Sequence, residues 1–389
     1  MKEDSREYDA YKQLVASAED YTDSLNQENE LNIDYYLRNP VGDLSPIPYE
    51  SKAVSSDCFD VVESDMPSIV RSVLGGANIM EFAANNDNDK KQVIESEQKT
   101  KLVNRLILGQ DWSFKVMFDW LKAAEVYNCA MVTYYPEDTE KREIIEYSGI
   151  TQIELKAVLD AFEESDGVER VEVMGDDEGD SVDVSLHVYR KSRNYVIEYI
   201  HPDNMLLTRG GPTIDDLDLV GHKSRVSKGD LIGLSFDKEI VEALTGGNDN
   251  YSQQSGSGES RNIQDIQMNA VNGDTNNEVE PEWYMEKVDL VTAVVRFAVK
   301  NGNVQRRRIM SVNQTVLSDE PFDHVNYATL SAYPMPGQVV GLSRVGITRE
   351  AQRQKTMVQR GMYNNIAAVN KPMTAINIAD GAVNSDDLV

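Results

Sequence analysis

The sequence predicts an α+β fold, with helices gathered before about residue 130 and an antiparallel sheet after it. Three observations carry this. Apolar residues recur at helical spacing up to Ala130, and from Met131 the period shortens to alternation. The alternating runs are joined by turn-forming residues, Gly175 to Asp180 and Asn301-Gly302, which favour hairpins.

The elements follow in chain order. Arg6 to Arg38 carries Tyr8, Tyr11, Leu14, Val15, Tyr21, Leu25 and Leu31 among acids and amides, which predicts a helix with an interruption. After a loop holding Pro40, Pro46 and Pro48, Ser56 is placed to cap a second helix. Asp57 and Asp60 fall in its positive first turn, and Phe59, Val62, Met66, Ile69, Val70 and Val73 form one stripe that stops near Gly75 and Gly76. Pro67 lies inside it and predicts a kink or a fresh helix start. Lys91 to Ala130 is helix-like again, with Leu102, Val103, Leu106 and Ile107 followed by Trp112, Met117, Phe118 and Leu121.

Met131 to Tyr135 is a short strand, and Gln152 to Glu164 a further helix. Val168 to Val173, Val182 to Tyr189 and Tyr195 to Ile200 alternate as half-buried strands do. Residues 246–277 are mostly Gly, Asn, Ser, Gln and Asp, a composition that cannot repay chain ordering by burial, and predict a mobile surface loop. Val288 to Val299 and Arg306 to Val312 flank the Asn301-Gly302 turn. Leu317 to Pro336 is expected to be loop-rich, Gly341 to Asn370 a long helix, and Met373 to Ile378 strand-like.

Composition excludes several function classes. The 66 acids against 38 bases give a formal charge of -28, which argues against gripping nucleic acid, since tight binding needs clustered Lys and Arg to displace counterions. No apolar run reaches the roughly 20 residues a bilayer demands, so no membrane association is expected. Cys58 and Cys129 lack CxxC spacing and read as reduced, structural thiols. No P-loop or dinucleotide fingerprint is present, and His187, His201, His222 and His324 are scattered, with no HExxH motif. The acids Asp176, Asp177, Glu178, Asp180 and Asp183 lack the EF-hand order and read as a solvated turn. Glu154-Leu155-Lys156 resembles the end of a metal-dependent nuclease motif, the most remote reading. The expectation is a protein without catalytic residues, cofactor or metal.

One segment departs from the acidic background. Ile347, Ala351, Val358, Met362, Ile366 and Val369 share a helical face, with Ala351 and Gly361 leaving room for close approach. Arg344, Arg349, Arg353, Lys355 and Arg360 decorate the remainder, against Glu350 alone. Such a helix asks for an acidic partner, either a neighbouring subunit or a phosphate backbone, unless it simply packs on its own domain.

Three stretches resemble the portal family of short-tailed phages. They are SKAVSSDCFDVVESDMPSIVRSV (residues 51–73), HPDNMLLTRGGPTIDDLDLVGHKSRVSKGDL (201–231) and YPMPGQVVGLSRVGITREAQRQKTMVQRGMYNNIAAVNKP (333–372), in the family's order. The resemblance implies a homo-oligomeric ring, commonly of about twelve subunits, at one capsid vertex of the virion and assembled in the host cytoplasm. It implies a wing over residues 1–338 (helical 1–130, mixed 131–338), a stem helix over 339–370 and the start of a clip over 371–389. A returning stem helix, a channel-lining helix and a crown would then follow Val389. Implied partners are the terminase large subunit, a tail adaptor, capsid and scaffolding proteins, and double-stranded DNA passing non-specifically. The alternative is another virion adaptor or collar protein.

Overall fold

In the computed structural model the first helix, α1 (Lys2–Leu37), runs unbroken for 36 residues, so the expected interruption is absent. The reason lies in its inward face. Between the buried Tyr11, Ala18 and Ile33 it buries Asn26, Asn29 and Asn32, each with a partner. Asn26 donates to the Pro202 carbonyl, Asn29 accepts from the Asn128 N–H at 3.2 Å, and Asn32 donates to the Ser343 hydroxyl at 3.0 Å. Paired amides continue the buried face where apolar residues thin out.

Residues 2–40, 50–76, 78–86, 88–110, 112–163, 168–175, 182–234, 236–244, 283–298, 304–313 and 315–370 are described. They form two compact units, one of Met1–Gly75, Phe118–Met131 and Ile200–Val389, the other of Gly76–Met117 and Val132–Tyr199. The acidic turn after Gly175, the 246–277 loop, the Asn301-Gly302 turn and the strand-like piece after Met373 lie outside the described residues.

Helix α2 (Asp57–Leu74) buries Cys58, Val62 and Met66, continues through Pro67 as one helix, and ends at Gly75. Ser56 holds the cap position, but its hydroxyl turns to the Asp60 carboxylate at 2.7 Å rather than to a backbone N–H. The helical stretch expected from Lys91 to Ala130 is two helices, α3 (Lys90–Leu108) and α4 (Ser113–Val126), with Gly109 capping the first.

The second unit carries strands longer than alternation suggests. Strand β1 (Ala130–Ile150) extends far beyond the expected Met131 to Tyr135. Helix α5 (Gln152–Glu163) packs on β2 (Val168–Gly175), which pairs antiparallel with β3 (Val182–Ile200) in the register Glu172↔His187. The two expected strands at Val182 to Tyr189 and Tyr195 to Ile200 are therefore one. Much of the added length, such as Arg142 to Ile144, is exposed and shows no apolar period.

In the first unit five antiparallel strands stand in chain order: β4 (Met205–Leu207), β5 (Leu219–Ser227), β6 (Lys287–Ala298), β7 (Val304–Val312) and β8 (Thr315–Pro321). With β9 (Tyr327–Leu330), β8 replaces the loop expected from Leu317 to Pro336. The predicted hairpin forms as β6 and β7, paired from Leu290↔Val312 to Ala298↔Val304. Alternation along β6 feeds two cores. Val291, Ala293 and Val295 meet Tyr11 and Ala18 of α1, whereas Val294 packs with Cys129, Met131, Met205 and Tyr327. A third cluster joins the sheet to α6 (Lys228–Gly233) and α7 (Lys238–Ala243) through Leu231, Val241, Val288 and Val312.

Within the sheet the Tyr327 hydroxyl donates to the Thr292 carbonyl at 3.1 Å and meets His222 Nδ1 at 2.9 Å, which assigns the imidazole proton to Nδ1. Burial pushes the His222 pKa down to about 4 from 6.5. The folded chain thus resists protonation that the unfolded chain accepts. Stability is fully present above about pH 6.5 and falls as pH drops towards 4, by up to about 3 kcal/mol. Urea midpoints at pH 7 and pH 4.5 check this: the loss on acidification should be smaller in His222→Gln than in the wild type by that amount.

Candidate subunit-interface helix

Helix α8 (Arg344–Asn370) is 27 residues long and packs on α1 and α2. Its start is fixed by Ser343, which is fully buried and accepts from the Gly346 N–H at 2.9 Å as well as from Asn32. Arg344 lies between two acids. It pairs with Asp65 on α2 and with Glu125 on α4 at 2.6 Å, and it sits over the Tyr333 ring. The Glu125 contact is an ion pair whose geometry directs no hydrogen bond. Burial pushes the Glu125 carboxyl up.

Further along, the inward face holds the extended Ser51 to Ser56 segment and the first turn of α2 by four rungs. Gln352 Oε1 accepts from the Cys58 N–H at 2.7 Å, and Thr356 Oγ1 accepts from the Ser55 N–H at 3.1 Å. Arg360 Nε donates to the Ala53 carbonyl at 2.8 Å, and Asn364 Oδ1 accepts from the Ser51 N–H at 2.8 Å. Four helical residues rise about 6.0 Å and two extended residues about 6.6 Å, so the steps of four from Thr356 to Asn364 match the steps of two from Ser55 to Ser51. The other end of Gln352 donates to the Tyr35 carbonyl at 2.9 Å, so one buried amide joins the last turn of α1 to the first turn of α2.

The remaining bases are also placed. Arg349 pairs with Glu28 on α1 at 3.1 Å and reaches Asn32. Lys355 pairs with Asp57 at 2.6 Å. Burial works to raise the Asp57 carboxyl, but hydrogen bonds from Lys355 and Ser55 hold it below the usual carboxylate range. Arg353 reaches only Glu350 of its own helix, at 3.4 Å. Four of the five bases singled out from sequence thus engage groups on other segments of the same chain.

The opposite face is apolar and open. Val358, Met362, Ile366 and Val369 are 62, 60, 54 and 74% exposed, and Ile347 54%. Helical spacing found this stripe, whereas Gln352, Thr356 and Asn364 carry no apolar period and entered only within the stretch 333–372 that resembles the portal family.

The chemistry considered elsewhere has other roles. Glu154 accepts from the N–H and hydroxyl of Thr151, both at 3.0 Å, while the Thr151 hydroxyl accepts from the Glu154 N–H, a capping box that starts α5. Cys58 and Cys129 are free and buried, and burial pushes both thiols up to about 12. Among the described residues no group of three or more His, Cys, Asp or Glu is placed to hold a metal, and no helix is long and apolar enough to cross a membrane.

Compared with known families, the chain matches the model for the phage SU10 portal protein over residues 9–389, a span that takes in α8, the segment it holds and both units. No curated protein matches it. Portal proteins are structural components of the phage capsid, in keeping with the mixed α+β fold described above. With nearly the whole chain matched, the protein belongs to the phage SU10 portal protein family.

Proposed function

We propose that copies of this portal protein close into a ring, of about twelve subunits, through which duplex DNA enters and leaves the capsid without sequence readout. The terminase large subunit, a tail adaptor, and capsid and scaffolding proteins dock on that ring, which assembles in the host cytoplasm. Residues 1–338 form its wing, 339–370 its stem and 371–389 the start of its clip. An acid-rich bore at a formal -28 per chain repels the phosphate backbone, so DNA slides rather than sticks.

The observation that supports this best is the two-faced α8. One side is fastened to its own subunit by directional polar contacts, whereas the other presents Val358, Met362, Ile366 and Val369 to solvent. A row of aliphatic side chains left open on a helix anchored from behind is what a neighbouring subunit would cover. Arg353 stands beside it as the candidate charged contact. Arg344, Arg349, Lys355 and Arg360 act on the interface by holding the helix in place.

Met362→Glu with Ile366→Glu is expected to lower ring yield at least tenfold in negatively stained micrographs. Subunit stability should change by no more than about 0.5 kcal/mol, because both positions are exposed. Unchanged ring yield would remove α8 from the interface, and a full-length protein that stays monomeric at high concentration would remove the ring.

A further inference from the structure

Two solvent-accessible surfaces stand at opposite ends of the five-stranded sheet. At one end the turn before β6 projects Trp283, Tyr284 and Met285, which are 47, 39 and 54% exposed. The turn is pinned from behind. The Gly229 N–H donates to the Tyr284 carbonyl at 2.8 Å, the Lys228 N–H donates to the Glu286 carbonyl at 3.0 Å, and the buried Lys228 ammonium pairs with Glu286 at 2.6 Å. Leu234, just past α6, and Ile240 on α7 are exposed as well. Glu239 and Glu242 on α7 place carboxylates at that end, with Glu242 3.6 Å from Lys238, whose ammonium sits over the Trp283 ring. Rigid aromatic residues on a pinned turn make inexpensive contact area, since little side-chain freedom remains to be lost.

At the other end Arg296 on β6 stands directly opposite Arg306 on β7. Like charges opposite each other in a ladder are destabilising. Arg306 is held at 2.9 Å by the Asp215 carbonyl and at 3.3 Å by the Asp323 carbonyl, both neutral acceptors, with the Asp215 carboxylate at 3.7 Å. Arg296 is exposed and has no side-chain partner among the described residues. The two arginines line a cavity with Val304, Gln305, Pro321 and Asp323. From Lys287 to Arg296 the strand advances nine residues, about 30 Å, so both surfaces ride on one rigid element.

We propose that the Trp283–Met285 turn of one subunit docks on the Arg296/Arg306 end of the next. A closed ring needs a heterologous contact, one surface meeting a different one on the following copy. Here the complement is chemical: aromatic faces and carboxylates on one end, guanidinium groups on the other. The occupant is a second copy of this chain, so the inference rests on the ring reading, but its surfaces are separate from α8.

Met285→Cys with Val304→Cys in one chain, treated as assembled particles with a short bismaleimide, tests the contact. Both positions are exposed, whereas Cys58 and Cys129 are buried. The expected result is a ladder of covalent multimers on a denaturing gel, with monomer alone from either single variant. Rings visible in micrographs without a ladder overturn the inference and leave the ring reading intact; absence of rings from the wild type overturns both. Independently, Arg296→Glu should lower ring yield at least tenfold, and Glu242→Arg added to the same chain should recover most of it. Full ring yield from Arg296→Glu alone refutes the proposed pairing.

Discussion

Gln352→Leu is expected to destabilise the folded chain by about 2 kcal/mol. The side chain is fully buried and both of its ends are used, one accepting from the Cys58 N–H and the other donating to the Tyr35 carbonyl. Leucine fills similar space and so leaves little cavity, but it strands the Cys58 N–H, whereas the Tyr35 carbonyl keeps the Arg38 N–H at 3.3 Å. One orphaned donor costs roughly 1–3 kcal/mol in a site that water does not reach. The neighbouring Gln354, whose amide reaches only Glu350 on the surface, provides the control: Gln354→Leu should stay within about 0.5 kcal/mol. Urea denaturation of both variants decides it. A loss below about 1 kcal/mol for Gln352→Leu would mean that solvent or a shifted neighbour can replace the amide.

Arg344→Met should cost about 3 kcal/mol, because the carboxylate of Glu125, only 8% exposed, loses its cation. The figure sits at the low end for a buried pair, since Asp65 on the other side is 42% exposed and water screens that half of the triad. Burial already raises the Glu125 carboxyl, so the folded state holds its proton more tightly than the unfolded state does. The associated stability is present at low pH and is lost as pH rises through the raised value. Acidification should therefore shrink the deficit of Arg344→Met. Adding Glu125→Gln at neutral pH should recover much of it, a double-mutant cycle readable from thermal unfolding. Equal deficits at pH 4.5 and pH 7.5 would show that the arginine acts through packing on Tyr333 rather than through charge.

Where an element owes its order to apolar burial, the sequence was sufficient. The stripe of α2, the short helix α5, the β6–β7 hairpin and the long α8 were all legible, because Val62, Met66, Val291 and Val295 follow the period of the structure that buries them. Elements ordered by other forces were not. The continuity of α1 depends on three buried asparagines whose partners, Asn128, Pro202 and Ser343, are distant in sequence. Strand β1 passes through residues as charged as Glu143 and Glu146, exposed along most of their length, where alternation carries no signal. The candidate site divides the same way. Its outward aliphatic row was visible as a period, whereas the ties of Arg344, Arg349, Lys355 and Arg360 reach acids and carbonyls some 220 to 320 positions away. No local pattern encodes such a pairing.

The unequal sides of α8 bear on how an assembly of such subunits would tolerate passing cargo. Hydrogen bonds have one good geometry, and the four rungs to the 51–58 segment therefore resist slippage in either direction. Aliphatic contact lacks that directionality: methyl and thioether groups can slide past one another by an ångström with little change in energy. In the proposed ring, strain would consequently be taken up as lubricated shear between protomers, leaving each protomer's own architecture undisturbed.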